Sequence, residues 1–384
     1  MTEPSLRILF LTPYFRPYVG GIERAIEQFS AQLMGDPTVT AVGVLTTKYA
    51  FPRIPQPSWA DRETTVEGIS IFRLKGHPRR SLPVYSVPLV WFSPIQIRRY
   101  IEEFDPNVIH FVGDGWFWGH FWAWVWYRGR ARFVFTPSFH TLPLRRQWIR
   151  PINAFLCKVM DSVITLTRQE KDQVSRAYWV HQSKLEVVGW GVPEVGRPDS
   201  REDNGPLSIL CVGRLGHHKG QEWLLKVYFR ARTRFRQSTR LLLVGRDEGM
   251  EKVIRNMVET AGLSHEVIIT GEISDEELLG WYTRSNLLVL FSQYEAFGLV
   301  FFEAMAHGIP VLTHDVGANR ELLTKGAVIV APFDETSAED ELVRLVNDNN
   351  LRRRLGQDAR NYALKWFTWA SVAKRYLRIY QTLS

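Results

Sequence analysis

A chain of 384 residues is long enough for two domains, because single hydrophobic cores usually stop growing at about 250–300 residues. Hydrophobic residues make up 45% and charged residues 23%, the balance of an ordinary soluble globular protein. No apolar stretch approaches the ~20 residues that cross a bilayer, and the N-terminus MTEPSLRILFLTPYF lacks a basic leader, so a cytoplasmic chain without a signal peptide is expected. The two cysteines, Cys157 and Cys211, lie far apart in apolar surroundings and read as buried thiols.

The net charge of +8 is uneven. Residues 1–200 carry 24 Lys and Arg against 17 Asp and Glu, whereas residues 201–384 carry 24 against 23. The window 70–150 alone holds 12 basic and 4 acidic residues. It also contains the aromatic run Trp116, Phe117, Trp118, Phe121, Trp122, Trp124, Trp126 and Tyr127. Basic residues beside amphipathic aromatics suit an anionic membrane surface, which would make the chain peripheral on the inner face of a membrane. Nucleic acid is the rival polyanion. A plainer reading makes the tryptophans core and the arginines a solvated face.

In chain order, LRILFL is a strand-length apolar run, and the loop TPYFRPYVGG leads into IERAIEQFSAQL, which has helical spacing. Strands follow at VTAVGVLT, GISIFRL, NVIHFVG, ARFVFTP, DSVITLT and KLEVVG. The second half repeats the pattern at LSILCVG, RLLLVG, EVIITG, NLLVLFS, IPVLTHD and AVIVAP. Continuous β-branched runs separated by helices imply parallel sheets covered on both faces. The Gly-, Pro- and charge-rich segment GWGVPEVGRPDSREDNGP reads as a linker. The expected architecture is α/β: two tandem Rossmann-like domains whose parallel sheets face across a ligand cleft. Their expected limits are 1–190, a linker at 191–205, then 206–365, with a C-terminal helix over 366–384 packing back on the N-terminal domain.

Three segments carry the pattern of ligand chemistry. The first is SQYEAFGLVFFEAMAHGIPVLT, where a buried strand, a turn over Tyr294–Gly298 and a helix place free backbone N–H groups at the helix start. Glu295 precedes that helix and Glu303 is expected about two turns along it. Eight residues of helix span about 12 Å, comparable to the distance from sugar to ribose in a nucleotide sugar. The second is SILCVGRLGHHKG, where a strand ends in Gly213 and is followed by Arg214, Lys219 and Gly220. Two cations there suit a diphosphate; the P-loop pattern is absent. The third is the Gly20–Gly21 pair opening the first helix, where glycine lets a ligand approach the backbone. His217 and His218 read as loop residues, because no third ligand stands at metal-site spacing. Asp114 in VGDGW reads as an Asx-type turn residue.

Together these motifs resemble the GT-B glycosyltransferases of family 4, over nearly the whole chain from the Gly20–Glu23 turn to KWFTWASVAKRYLRIY. The resemblance implies a retaining glycosyltransferase that moves a hexose from a UDP- or GDP-hexose to a glycan, lipid-linked or polysaccharide-precursor acceptor. It implies that Arg214 and Lys219 neutralise the donor diphosphate, that Glu295 and the backbone of Ala296, Phe297 and Gly298 hold sugar hydroxyls, and that Leu299 and Val300 amides face phosphate and ribose. Glu303 would bind the ribose, Gly21 would let the N-terminal domain close on the diphosphate, and His140 in VFTPSFHT would sit near the sugar's 6-hydroxyl. Gly213 and Arg246 would also touch donor. The chain departs from the family at VGRDEG, with Arg246 and Asp247, at Gly189–Pro193, and at Val316–Glu321, where Gly317 stands alone instead of in a pair.

Transfer is expected to pass through an oxocarbenium-like centre, with positive groups aimed at the leaving diphosphate as the largest catalytic contribution. The implied chemistry is front-face transfer, unlike the flanking carboxylate pair of retaining glycosidases. No DxD-like motif stands beside a strand, so no metal or cofactor is expected to be required, and no nucleic-acid partner is expected. Lys219→Ala is expected to lower kcat by orders of magnitude with little loss of fold. Two alternatives remain open: a GT-B nucleotide-sugar epimerase, which needs no acceptor, and a non-catalytic nucleotide-sugar or polyanion-binding module.

Overall fold

The computed structural model describes residues 5–18, 20–50, 54–78, 90–113, 116–138, 150–196 and 205–383. The chain forms two units, one comprising Met1–Gly191 with Trp369–Ser384, the other Val192–Thr368.

The first unit contains β1 (Leu6–Leu11), α1 (Gly21–Met34), β2 (Val39–Thr47), the short pair β3 (Tyr49–Ala50) and β4 (Ile54–Pro55), β5 (Arg62–Thr64) and β6 (Ser70–Leu74). It continues with β7 (Gly76–Pro78), β8 (Val90–Phe92), α2 (Pro94–Phe104), β9 (Val108–Val112), α3 (Phe117–Tyr127), β10 (Arg132–Thr136), α4 (Arg150–Val159), β11 (Ser162–Thr165), α5 (Arg168–Tyr178) and β12 (Leu185–Val187). The main sheet has the order β12-β11-β10-β9-β1-β2-β6-β5. All its neighbours pair in parallel except β5 with β6. The strands of its centre are buried almost throughout, as both-face coverage by helices requires.

The second unit contains β13 (Leu207–Val212), α6 (Gln221–Ala231), β14 (Thr239–Val244), α7 (Glu251–Thr260), β15 (Val267–Gly271), α8 (Asp275–Arg284) and β16 (Leu287–Leu290). Then come α9 (Leu299–Ala306), β17 (Val311–His314), α10 (Asn319–Leu322), β18 (Ala327–Val330), α11 (Glu335–Asn347) and α12 (Asn349–Trp366). Its all-parallel sheet runs β15-β14-β13-β16-β17-β18. The chain winds outward from β13 through β14 to β15, then returns to the other side of β13 at β16. That reversal is a topological switch point, where the loops after two adjacent strands diverge and leave a crevice at their C-terminal ends. The loops after β13 and β16 carry Arg214, Lys219 and Glu295.

The last helix, α13 (Trp369–Leu383), belongs to the first unit. Trp369 Nε1 donates to Gln28 Oε1 at 2.8 Å, Tyr376 stacks on Trp190, and Tyr380 Oη lies 2.7 Å from His110 Nδ1. His110 Nε2 also meets Thr136 Oγ1 at 2.8 Å. Burial pushes the imidazoles of His110 and His120 down to about 3. The unfolded chain therefore binds protons that the fold excludes once pH drops below about 6.5, the ordinary histidine value. Stability is full above that pH and falls toward pH 3, by up to about 1.4 kcal/mol per pH unit for each histidine. Thermal unfolding of His110→Gln between pH 6.5 and 5 should show a shallower pH dependence than the natural chain. An unchanged slope would remove His110 from the acid response.

The aromatic run of the first unit divides. Trp116 and Tyr127 are core, at 1% and 4% exposure, whereas Trp118, Phe121, Trp122 and Trp124 are half-buried and Trp126 is exposed. The basic window divides too: Arg73 is buried, pairs with Glu63 and donates to the carbonyls of Arg16 and Ala60. Among the described residues, no helix is long and apolar enough to cross a membrane.

Candidate functional site

The site grows from the backbone at the β13/β16 switch point. After β13, Gly213 N–H donates to Val244 O at 2.9 Å, and a 3-10 turn over His217–Lys219 leads through Gly220 into α6. Gly220 has φ +70°, and a Cβ there would lie 2.0 Å from the Phe291 carbonyl oxygen. Only glycine allows the two loops this contact. Gln293 N–H donates to His218 O at 2.9 Å across the same seam, and Gln221 Nε2 donates to Arg214 O at 3.0 Å. The cation-bearing loop is thus held by backbone and amide contacts on both sides.

Lys219 and Glu295 meet in that seam. Lys219 Nζ donates to Glu295 Oε1 at 2.5 Å, and Ser292 Oγ donates to the same oxygen at 2.8 Å. The side chains are 17% and 8% exposed, so the pair is largely withdrawn from water. An ammonium has three donors and a carboxylate about four acceptor sites, so this contact leaves bonding capacity on each group. Loss of either partner leaves the other charge largely desolvated, which is costly. Lys219→Ala is therefore expected to weaken the fold measurably, a correction to the smaller cost read from sequence, where the pairing is invisible.

Arg214 pairs with Glu248, which follows β14 in the VGRDEG turn. In that turn Leu215 N–H donates to Arg246 O at 2.8 Å, and Asp247 Oδ1 accepts from the N–H groups of Gly249, Met250 and Glu251. Those bonds, led by Glu251, hold the Asp247 carboxyl below its usual range. Asp247 thus braces the turn into α7, whose N-cap is Met250, and the half-buried Arg246 stands two residues beyond the end of β14. His218 is held below the usual imidazole range by burial and by Lys219 and Arg214. Its neighbour His217 meets Glu222 at 3.1 Å.

The helix after β16 begins where the sequence places it, but Glu303 lies less far along it than expected. Ala296–Gly298 are still turn, Gly298 is the N-cap, and α9 begins at Leu299. Glu303 therefore stands little more than one helical turn from the start of α9. The interval from Glu295 to Glu303 is not eight helical residues spanning about 12 Å. The reason is local: Gly298, at φ +71°, makes a left-handed entry into the helix. It has no side chain to cap the first N–H groups, leaving the amide-rich start of α9 at Leu299 and Val300. The Phe297 side chain is buried against Phe302 and Phe367, so only its backbone is on the site side. At the far end, Gly308 N–H donates to Met305 O and Ile309 N–H to Ala304 O, a Schellman closure.

Glu303 is held from α8. Tyr282 Oη donates to Glu303 Oε2 at 2.7 Å, and the Tyr282 ring stacks on His307 at 5.3 Å. His307 Nδ1 lies 2.8 Å from Glu303 O. Behind Glu295, Gly317 has φ +53°, and a Cβ there would lie 1.8 Å from Glu295 O. Asn319 Nδ2 donates to His314 O at 2.9 Å and braces the same loop.

The second unit thus carries Gly213, Arg214, Lys219, Glu295 and Ala296–Gly298 on the loops of one switch point and Leu299, Val300 and Glu303 on the helix α9 that follows, with Arg246 in the turn after the neighbouring β14. Gly20 and Gly21 open α1 in the first unit, and a Cβ on Gly21 would meet nothing within 4 Å. His140 and Asp114 lie outside the described residues. Sequence reasoning missed Glu248 and Tyr282, whose partners Arg214 and Glu303 are distant in the chain, and Ser292, whose hydroxyl reaches Glu295 three residues on across the turn. Among the described residues, no group of three or more His, Cys, Asp or Glu side chains could hold a metal ion.

Two family models match the chain consecutively: Glycosyltransferase Family 4 over residues 19–194 and Glycosyl transferases group 1 over residues 194–362. A GDP-mannose:cellobiosyl-diphosphopolyprenol alpha-mannosyltransferase of Komagataeibacter xylinus is 24% identical, covering 99% of this chain and 94% of its own. Other glycosyltransferase relatives are matched over 56% to 60% of their length. Sucrose-phosphate synthase from Thermosynechococcus elongatus superposes with a TM-score of 0.79 at 21% identity, covering 98% of each chain. HepE of Anabaena, solved in complex with UDP and glucose, gives a TM-score of 0.73 at 16% identity, covering 98% of this chain and 100% of its own. With two parallel sheets flanked by helices and both family models in tandem, the chain is a GT-B-fold glycosyltransferase of the group 1 and family 4 relatives, acting on a nucleotide-sugar donor.

Proposed function

We propose that the chain is a retaining hexosyltransferase that moves a hexose from a UDP- or GDP-hexose to a glycan, lipid-linked or polysaccharide-precursor acceptor. The observation that carries this reading is the Lys219–Glu295 pair at the switch point, beside the start of α9. Lys219 and Arg214 take the donor diphosphate, Arg214 with a planar fork and Lys219 as a point charge. Glu295, with the backbone of Ala296–Gly298, takes sugar hydroxyls. Glu303 takes the ribose, and the Leu299 and Val300 amides take phosphate oxygens and ribose. Gly20, Gly21 and His140 are assigned to the donor by family resemblance, with the open space at Gly21 in support. The acceptor class is supported by the diphosphopolyprenol-linked acceptor in the name of the Komagataeibacter relative.

In the proposed reaction the acceptor hydroxyl oxygen bonds to the anomeric carbon as the bond from that carbon to the diphosphate oxygen breaks. The hydroxyl proton passes to a leaving phosphate oxygen. Charge building on the diphosphate is met by Arg214, Lys219 and the α9 dipole, already aimed before reaction. Positive charge at the diphosphate comes from the chain itself, so turnover is expected to persist in EDTA.

The test is NMR of donor and product with a lipid-linked oligosaccharide acceptor. An α-linked donor should give an α-linked product and release of the nucleoside diphosphate, with little donor conversion when acceptor is withheld. Inverted product would overturn retention, and donor epimerised without acceptor would favour an epimerase.

Tyr282 supports Glu303 and should tune ribose recognition. Tyr282→Phe removes the hydrogen bond while keeping the ring on His307. Donor KM should rise about fivefold to tenfold, the scale of one ordinary hydrogen bond, with kcat little changed. Preference for the donor over its 2′-deoxyribose analogue should shrink. An unaltered preference would detach Tyr282 from ribose binding.

A further inference from the structure

Residues 115–160 contain seven Lys and Arg and no Asp or Glu. Within this span α3 has the sequence FWGHFWAWVWY, without a charged side chain, yet only part of it is core. Trp126 is 37% exposed, and Phe155 on the adjacent α4 is 38% exposed. Trp122 stacks on Trp126, and Trp124 meets Phe155 edge-on at 5.4 Å. The apolar surface therefore continues from α3 to α4 as one patch. Burying large apolar side chains is favourable, and a surface helix normally turns a polar face to water. A helix that leaves tryptophans half in water marks an interaction surface.

The charges show what kind of surface it meets. Arg98 of α2 lies over the Trp126 ring at 5.1 Å, and Arg128 lies over Trp124 at 5.2 Å. Arg128 and Arg130 are exposed at the end of α3. Guanidinium groups thus lie on the indole rings, the faces on which nucleic-acid bases would stack. What remains is an uncharged aromatic ridge bordered by arginines, of which Arg98 is shared with Glu102 of α2 while Arg128 and Arg130 lie at the end of α3. Tryptophan favours the headgroup level of a bilayer, where its ring is half apolar and half polar, and arginine there meets lipid phosphate.

We propose that the α2–α3–α4 face of the first unit docks on an anionic lipid bilayer, with Trp122, Trp126 and Phe155 at the headgroup boundary and Arg128 and Arg130 on lipid phosphates. This surface shares no residue with the donor loops of the second unit, so its test does not depend on the roles given to Lys219 or Glu295.

The full chain is sedimented with vesicles of phosphatidylcholine alone or mixed with phosphatidylglycerol, and tryptophan quenching by brominated acyl chains is read in parallel. Binding is expected to the anionic vesicles, weakened by salt, with quenching of tryptophan. Replacing Arg128 and Arg130 by Gln should lower the partition constant about thirtyfold, the effect of two charges near an anionic surface. Trp126→Ser with Phe155→Ser should lower both partition and quenching. All these side chains are exposed, and thermal shift with UDP-hexose and GDP-hexose reports whether each variant keeps its fold and donor site. Absence of partition to anionic vesicles, equal partition to both vesicle types, or partition unchanged in both variants overturns the proposal. So does salt-sensitive RNA binding in place of vesicle binding.

Discussion

Lys219→Ala should lower kcat by about 10² to 10³, the usual effect of deleting one preorganised donor aimed at developing charge. The ammonium is fixed by three features: a 3-10 turn, the glycine contact of Gly220 with Phe291, and the Glu295 carboxylate 2.5 Å away. A group held this way needs no reorganisation as negative charge moves onto the diphosphate. The variant should also lose roughly 2–3 kcal/mol of stability, less than the 3–5 kcal/mol of a fully buried pair. Two features reduce the cost: Lys219 keeps some contact with water, and Ser292 still donates to Glu295. Steady-state kinetics with thermal unfolding separates the two effects. Near-normal kcat in a folded variant would remove Lys219 from the diphosphate.

Gly317→Ala should be damaging for a different reason. The backbone at Gly317 is left-handed, φ +53°, and an alanine Cβ would lie 1.8 Å from the Glu295 carbonyl oxygen. The conformation alone costs alanine about 1–2 kcal/mol. The overlap forces the Glu295 loop to move as well, for a total of roughly 3–4 kcal/mol, near the upper end of single substitutions. A displacement near 1 Å at a positioning carboxylate can cost about 100-fold in rate. Unfolding and kcat/KM should therefore fall together. A stable variant with normal kcat/KM would mean that the 317 loop does not position Glu295.

These two residues show what was legible in the chain and what was not. Lys219 was readable because strand, turn, cation and glycine stand in one short segment, and a run such as SILCVG can only be a buried strand in that setting. The central strands of both sheets were readable for the same reason, as continuous apolar stretches punctuated by glycine. Gly317 could be seen only as a departure from a paired glycine, because its contact with Glu295 joins loops after β17 and β16. Glu248 on Arg214 and Tyr282 on Glu303 are likewise side-chain pairings between separate elements, and periodicity carries no information about them. The start of α9 was legible at Leu299, whereas Glu303 was read too far along the helix, because the Glu295–Glu303 interval includes the turn through Gly298. The left-handed conformation of Gly298 that ends that turn is a backbone property. The strands β3, β4, β5, β7 and β8 have two or three residues each, too few for an alternation to register.

The aromatic helix α3 followed neither simple reading. Trp116 and Tyr127 supply core, while the tryptophans between them are left partly in water. Hydrophobicity alone could not divide the run, since every residue in it favours burial. Packing of α3 between α2 and α4 makes the division.

The most direct test of the proposed donor grip is thermal unfolding of the natural chain and of Lys219→Ala with UDP-hexose and GDP-hexose. For the natural chain, one of the two at a hundred times its Kd should add about 2.7 kcal/mol of stability, and the variant should lose most of that gain at the same concentration. No stabilisation by either donor, or equal stabilisation of both proteins, would contradict the assignment of Lys219 and its loop to the diphosphate.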